Sequence, residues 1–315
     1  MDRYLSVVRC IIYLANLGIR ILGLNLEHPI LNASGILGSE PEHVDILVKY
    51  GFSCIVTKTI TLKPREGYPP PILIELDNGG YLNAVGLANP GVKGICPMVE
   101  RARLLGRPII VSVGGGDPRE YVEVSIKAEE CGASGVELNL SCPHVRGFGL
   151  ELGADPSMVY RVVRDVVSVL KIPVLAKLGF SDKVIESSGR ALEAGAAGLT
   201  LINTIKAMYI DVYSAKPVLS NKYGGLSGPP IKPIAIRVVY DVYREYGALI
   251  IGCGGVSGWR DAAEFILAGA RAVQVGSGFL RNRGIVGDIL AGLRKWLEVQ
   301  GVESIEELVG FAHRS

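Results

Sequence analysis

Polar residues repeatedly end short apolar runs along this chain: Asn32 with Ser34, Lys58, Ser112, Asn139 with Cys142, Lys177, and Asn203 with Thr204. Two further runs end in the glycines of IIGCGGVSG and VQVGSGFL, at Gly254 with Gly255 and at Gly276 with Ser277. Amide side chains suit a polar heterocycle and lysines suit anions, while glycines let backbone N–H groups approach a phosphate with no Cβ in the way. Cys142 is followed by Pro143, which turns the chain. A free thiol with a pKa of ~8.5 needs only a modest downward shift, of the kind nearby lysines supply, to act as a base near neutral pH. These ends carry neither the paired carboxylates of glycosidase chemistry nor a Ser/His/Asp set. A cysteine base removes a proton but cannot accept a hydride. An oxidation here therefore requires a cofactor, and a phosphate-bearing flavin fits a glycine-lined cup.

The runs that must position these groups are PILNASG (29–35), CIVTKTI (54–60), PIIVSVGG (108–115), GVELNLSC (135–142), PVLAKLG (173–179), GLTLINT (198–204), LIIGCGG (249–255) and AVQVGSG (272–278). They lack strict polar alternation, as expected of strands buried on both faces of a parallel sheet. Between them lie segments with helical periodicity and start signals, such as SEPEHVDILVKYG, the Asp-Pro openings of DPREYVEVSIKAEECG and DPSMVYRVVRDVVSVLK, and GWRDAAEFILAGA. Strand then helix, eight times, predicts a single (β/α)8 TIM barrel. The alternative is a doubly wound open sheet, but its G-x-G-x-x-G turn does not follow ILNASG. Residues 61–94 and 205–228, after strands 2 and 6, are too long for plain βα turns. In a barrel such loops belong to the C-terminal face, with the active site, and Gly225 to Gly228 of GGLSGPP would add backbone donors there.

The 315 residues suffice for one large α/β domain or two smaller ones. Basic and acidic residues nearly cancel, 33 against 31, with no Lys/Arg block. That balance argues against a nucleic-acid or lipid-surface partner and suits a small, roughly neutral substrate. Cysteines 10, 54, 96, 131, 142 and 253 form no C-x-x-C and no His/Cys cluster. The scatter argues against a zinc site and against a disulfide framework, and so for a reducing, cytoplasmic setting. Cys10, Cys54, Cys96, Cys131 and Cys253 are expected to be small buried hydrophobes. The stretch YLSVVRCIIYLANLG is shorter than the ~20 residues of a membrane span and carries Arg9. It is expected to pack or lie at an interface, giving an N-terminal extension over 1–18 and a barrel over 19–315.

From about residue 20 to residue 311 the sequence resembles the class 1 dihydroorotate dehydrogenases, most closely the 1B type. The resemblance runs through ILNASG, TKTITLKPREGYPPP, NAVGLANPGV, ELNLSCP, LAKL, LTLINT, GGLSGPPIKP, GCGGV and VGSG. It implies an FMN-containing barrel that oxidises (S)-dihydroorotate to orotate in de novo pyrimidine (UMP) synthesis. Carried onto matching positions, Cys142 takes the C5 proton while hydride leaves C6 for the flavin. Lys177 sits by the pyrimidine edge of the isoalloxazine, where its charge stabilises the reduced, anionic ring. Lys58 and Thr59 lie against flavin and substrate, and Ser34, Ser112, Asn139, Ile202, Gly228, Gly254, Gly255, Gly276 and Ser277 hold FMN. Asn83, Asn139, Asn203 and Thr204 bond the substrate ring and carboxylate, which the Ala84, Val85, Gly86 and Leu87 turn also approaches.

The 1B type further implies a homodimer joined to an iron–sulfur flavoprotein subunit, a heterotetramer in which electrons pass through FAD and a [2Fe–2S] cluster to NAD. This chain has neither a four-cysteine cluster pattern nor a second nucleotide motif to carry those groups itself. Two positions depart from the family, which usually has Asn at Ser112 and at His144. SCPH is shared with dihydropyrimidine dehydrogenases, so a flavin barrel acting on uracil or thymine is a rival. A barrel that binds a phosphorylated ligand without redox chemistry is another. The amide-rich turn NAVGLANPG favours orotate because it suits a carboxylate. His144 is expected either to bond substrate or tune Cys142, or to face solvent.

Overall fold

The computed structural model describes residues 15–141 and 153–314. Cys142 and His144 lie outside the described residues, as do Cys10 and most of the apolar N-terminal stretch.

Each of the eight apolar runs forms a strand: β1 (Ile30–Asn32), β2 (Ile55–Val56), β3 (Ile109–Val113), β4 (Gly135–Asn139), β5 (Val174–Leu178), β6 (Gly198–Leu201), β7 (Ile250–Cys253) and β8 (Ala270–Val275). Every residue of β3, β4, β5, β6 and β7 is buried, which is why polar alternation is absent. The strands are parallel neighbours in the order β1-β8-β7-β6-β5-β4-β3-β2.

Between β1 and β2 a side chain bridges the strands. Asn32 Nδ2 donates to the Val56 carbonyl at 2.7 Å, and the Val56 N–H donates to Asn32 Oδ1 at 2.9 Å. The amide thus copies a peptide group and closes the barrel, so Asn32 serves the sheet rather than the mouth. Asn32→Leu would strand the buried Val56 N–H and C=O. We expect a loss of about 2–6 kcal/mol, at about 1–3 kcal/mol for each of the two orphaned groups, read as a lower urea midpoint at unchanged m value.

Helices α1 (Pro41–Lys49), α2 (Ile95–Leu104), α3 (Pro118–Glu130), α4 (Pro156–Val167), α5 (Val184–Glu193), α6 (Lys232–Tyr246), α7 (Trp259–Ala268), α8 (Ser277–Arg281) and α9 (Ile285–Gln300) flank the strands. The two Asp-Pro openings work as caps: Asp117 accepts from the N–H groups of Arg119 and Glu120, and Asp155 from those of Ser157 and Met158. Along α4 one stripe, Val159, Val162, Val163 and Val166, is buried. No helix among the described residues is long and apolar enough to cross a membrane.

The two long connections are not plain loops. Leu73–Glu75 and Tyr81–Asn83 from the first join Ile205–Ala207 and Gly224–Ser227 from the second in one four-stranded antiparallel sheet. Asn83 pairs with Gly225 on one side and Leu73 on the other. Leu82, Ala84 and Leu219 give this sheet a small core of its own. It forms a cap over the C-terminal ends of the barrel strands.

One expectation is corrected. Cys96 and Cys131 are joined in a disulfide, with Cα atoms 4.9 Å apart, linking the start of α2 to the C-cap of α3. Spacing along the chain could not show this, because a disulfide depends on spatial approach of two Cα atoms and not on a motif. Cys54 and Cys253 are free and buried.

Candidate active site

A cavity of about 380 Å³ lies at the C-terminal ends of the strands, beneath the cap. Ser34 after β1, Lys58 and Thr59 after β2, Asn139 on β4 and Lys177 on β5 line it, with Ile202, Asn203 and Thr204 after β6. The cap contributes Asn83, Val85, Gly86, Leu87 and Gly228, while Gly254, Gly255, Gly276 and Ser277 close the far wall. Two sequence-predicted residues are not on the wall. Ser112 is wholly buried behind Thr59, and Ala84 points into the small core of the cap. Cys142 follows the buried Ser141 directly and lies outside the described residues.

The polar wall is one connected network. Thr59 Oγ1 lies 3.0 Å from Ser112 Oγ and 3.3 Å from Ser34 Oγ, and it accepts from Asn139 Nδ2 at 2.9 Å. Asn203 Nδ2 donates to Asn139 Oδ1 at 3.2 Å and to Ser141 Oγ at 3.0 Å. Tyr121 Oη, from α3, donates to the Asn139 carbonyl at 2.9 Å. Fixed partners give the amides fixed orientations, so their remaining donors and acceptors face a ligand without rearrangement.

Among the described residues the only charged side chains on the wall are Lys58 and Lys177. Burial pushes the Lys58 ammonium down from its ordinary value. Burial acts on Lys177 the same way, but the Glu137 carboxylate, with Cys253, overrides it and the net direction is up. Two cations and no acid make the cavity a site for an anion.

The turn carrying Val85, Gly86 and Leu87 is organised by buried Asn89. Its Oδ1 accepts from the N–H groups of Thr61 and Gly91, and its Nδ2 donates to the Leu87 carbonyl at 2.7 Å. Gly86 at φ 74° could carry no side chain, since a Cβ would meet the Tyr68 ring at 2.8 Å. On the far wall a Cβ on Gly255 would meet the Gly228 carbonyl at 2.9 Å, and one on Gly228 would lie 3.5 Å from Ser277 Oγ. The loops carrying Gly228 and Gly255 therefore meet backbone to backbone, with the Ser277 hydroxyl beside them, the arrangement a phosphate cradle needs. Apolar Ile36, Ile72, Ile202, Ile231, Val256 and Leu280 complete a wall suited to a flat ring. These residues fit a phosphate-bearing flavin.

Several wall residues escaped the sequence. Leu73 and Tyr81 belong to cap strands too short to show a pattern. Cys253 lines the cavity although its type and setting suggest only a small buried hydrophobe. Glu137 and Gln274 lie beneath Lys177, and their signal was visible: a carboxylate inside GVELN and an amide inside AVQVG, both otherwise apolar.

The sequence profile of the family described as dihydroorotate dehydrogenase matches residues 16–297. A relative from Aeropyrum pernix, provisionally named dihydroorotate dehydrogenase A (fumarate), is 52% identical over 304 residues, 95% of this chain and 98% of its own length. Proteins named dihydroorotate dehydrogenase B (NAD(+)), catalytic subunit, are similar too. That of Thermoplasma volcanium is 44% identical over 300 residues, 95% of this chain and 99% of its own. That of Pyrococcus furiosus is 45% identical over 298 residues, 94% and 98% of the two chains. With a matching profile over most of its length and relatives covering nearly all of it, the chain belongs to the dihydroorotate dehydrogenase family of oxidoreductases.

Proposed function

We propose that this chain oxidises (S)-dihydroorotate to orotate, a step of pyrimidine synthesis in the cytoplasm, with FMN bound in the barrel of residues 19–315. The observation that carries this reading is the cavity in which two lysines, an amide network and a glycine cradle meet, with no acid among its described lining residues. FMN bound there would supply the acceptor for the hydride of substrate C6. Ser34, Lys58, Thr59, Asn139, Lys177, Ile202, Gly228, Gly254, Gly255, Gly276 and Ser277 hold the cofactor. Ser112 acts on it through Thr59, whose hydroxyl it meets at 3.0 Å.

Asn83, Asn139, Asn203 and Thr204 bind the substrate ring and carboxylate. Lys58 adds a positive charge to the carboxylate, and the turn from Ala84 to Leu87 offers backbone groups to it. Cys142 takes the C5 proton as a thiolate. Its neighbour Ser141 accepts from Asn203 Nδ2 through both its carbonyl, at 3.2 Å, and its hydroxyl, at 3.0 Å, which ties the base to the ring-binding amides. The cap excludes water from the reacting face.

The electron acceptor would be a partner, an iron–sulfur flavoprotein whose FAD and [2Fe–2S] cluster would supply the route to NAD, the pair assembling around a homodimer of this chain. Relatives named as B-type catalytic subunits support that acceptor. A second reading, direct reduction of fumarate, is favoured by the Aeropyrum pernix relative. The test is to load the purified chain with FMN, supply dihydroorotate, and offer fumarate or NAD with and without proteins co-purified from the native host. A yellow protein that uses NAD only with its partner is expected. Turnover with fumarate alone selects the second reading, and a protein that stays colourless in FMN overturns the flavoenzyme altogether.

A further inference from the structure

Lys177 reaches the cavity from β5 with 3% of its side chain exposed, and the wholly buried Glu137 carboxylate of β4 lies 3.3 Å from its Nζ. A ring of contacts holds the two. Lys177 Nζ donates to Gln274 Oε1 at 2.9 Å, Gln274 Nε2 donates to Glu137 Oε2 at 2.6 Å, and Thr200 Oγ1 donates to that same oxygen at 2.9 Å. One member comes from each of β4, β5, β6 and β8, so the ring ties four strands inside the barrel. Among the described residues the other titratable groups coupled to this pair are two thiols. Burial, reinforced by the Glu137 charge, pushes Cys54 up to about 12. Burial also pushes Cys253 up, against the pull of Lys177. Both thiols stay neutral near pH 7, and the Glu137–Lys177 pair carries the charge of this layer.

We propose that Glu137, held by Gln274 and Thr200, is the positioning residue for Lys177, aiming and holding the charge that this lysine presents to the cofactor. The proposal rests on the FMN reading given above. A lysine this deeply buried gives up its proton near neutral pH unless a carboxylate opposes it. With Glu137 in place the ammonium persists, and a negative charge 3.3 Å away partly offsets its field. A flavin that becomes anionic on reduction then meets a fixed dipole, whose protonation does not change with redox state. Gln274 bridges the two charges and fixes the direction of that dipole.

A variant cycle read as thermal midpoint tests the pairing without any cofactor. Glu137→Gln is expected to lower Tm in the parent, because the buried Lys177 loses its counter-charge and must give up its proton on folding. In a Lys177→Met background the same substitution is expected to raise Tm, because it removes an unpaired buried carboxylate. A glutamate that merely fills space would lower Tm in both backgrounds. The second readout is the flavin midpoint potential of FMN-loaded protein between pH 6 and 9. Gln274→Met, which keeps both charges, should retain the parent's pH dependence. Glu137→Gln should steepen it by one proton per two electrons, since Lys177 is then neutral beside oxidised flavin and takes up a proton as the flavin becomes anionic. Equal pH dependence in Glu137→Gln and parent, or a lowered Tm in both backgrounds, overturns the proposal. Failure of the parent to bind FMN would instead sink the functional reading, and the Tm cycle would still decide the pairing.

Discussion

Cys142→Ala is expected to bind FMN as the parent does and to be reduced by dihydroorotate at least ~10²-fold more slowly, the typical effect of a lost general base. Oxidation of a C–C bond requires both a proton and a hydride to leave, and on the described wall Lys58, whose ammonium burial pushes down, is taken up by the substrate carboxylate in the proposed reading. Among the described residues the cavity is lined by no carboxylate and no histidine. Lys177 is held as an ammonium by Glu137, so it has no free pair to offer. Cys253 is pushed upward by burial and stays a thiol. That leaves the cysteine following Ser141, whose backbone and hydroxyl are fixed to Asn203. Anaerobic stopped-flow mixing, following flavin bleaching, gives the rate, with dithionite reduction as the control that FMN is present. An unchanged rate would remove Cys142 from the mechanism.

The second large effect is on stability. Replacing both Cys96 and Cys131 by alanine is expected to cost about 4 kcal/mol, the chain-entropy value for a closed loop of this length. The bond joins residues 35 apart and encloses most of α2, all of β3 and all of α3, one complete αβα stretch of the barrel wall. Neither cysteine lines the cavity, so the loss should appear in unfolding and not in flavin reduction. Denaturation of the parent with and without a reductant provides the comparison: the reduced parent should unfold at the midpoint of the double variant. Coincident midpoints for the oxidised parent and the double variant would show that the cross-link does not constrain the unfolded chain.

What could be read in advance follows from which interactions are local. The eight barrel strands were legible because burial on both faces leaves continuous Val- and Ile-rich runs, as in PIIVSV and PVLAKL. Caps at Asp117 and Asp155 were legible because Asp-Pro acts within one turn of helix. Lys58, Asn139, Lys177 and Asn203 were legible as a set because parallel strands carry their C-terminal ends to one face.

The rest depends on long-range pairing. Tyr81–Asn83 becomes a strand only because Gly224–Ser227 lies beside it. Asn32 read as a mouth residue because nothing in the sequence says that β1 must meet β2 through an amide. The Cys96–Cys131 bond needs the start of α2 to meet the end of α3. Glu137 and Gln274 are legible as polar groups inside apolar strands: a carboxylate in a buried strand must find a partner, and here it finds Lys177, Gln274 and Thr200. His144, expected from the resemblance to depart from the family pattern, lies outside the described residues.

Substrate choice is where the central claim is tested most directly. In the proposed reading Lys58 and the Asn83 to Leu87 turn, which line the cavity, bind a carboxylate, which dihydroorotate has and dihydrouracil lacks. The measurement is anaerobic flavin bleaching of the FMN-loaded protein by each of the two compounds. Rapid bleaching by dihydroorotate and little or none by dihydrouracil is the expected result. Bleaching by dihydrouracil alone would contradict it.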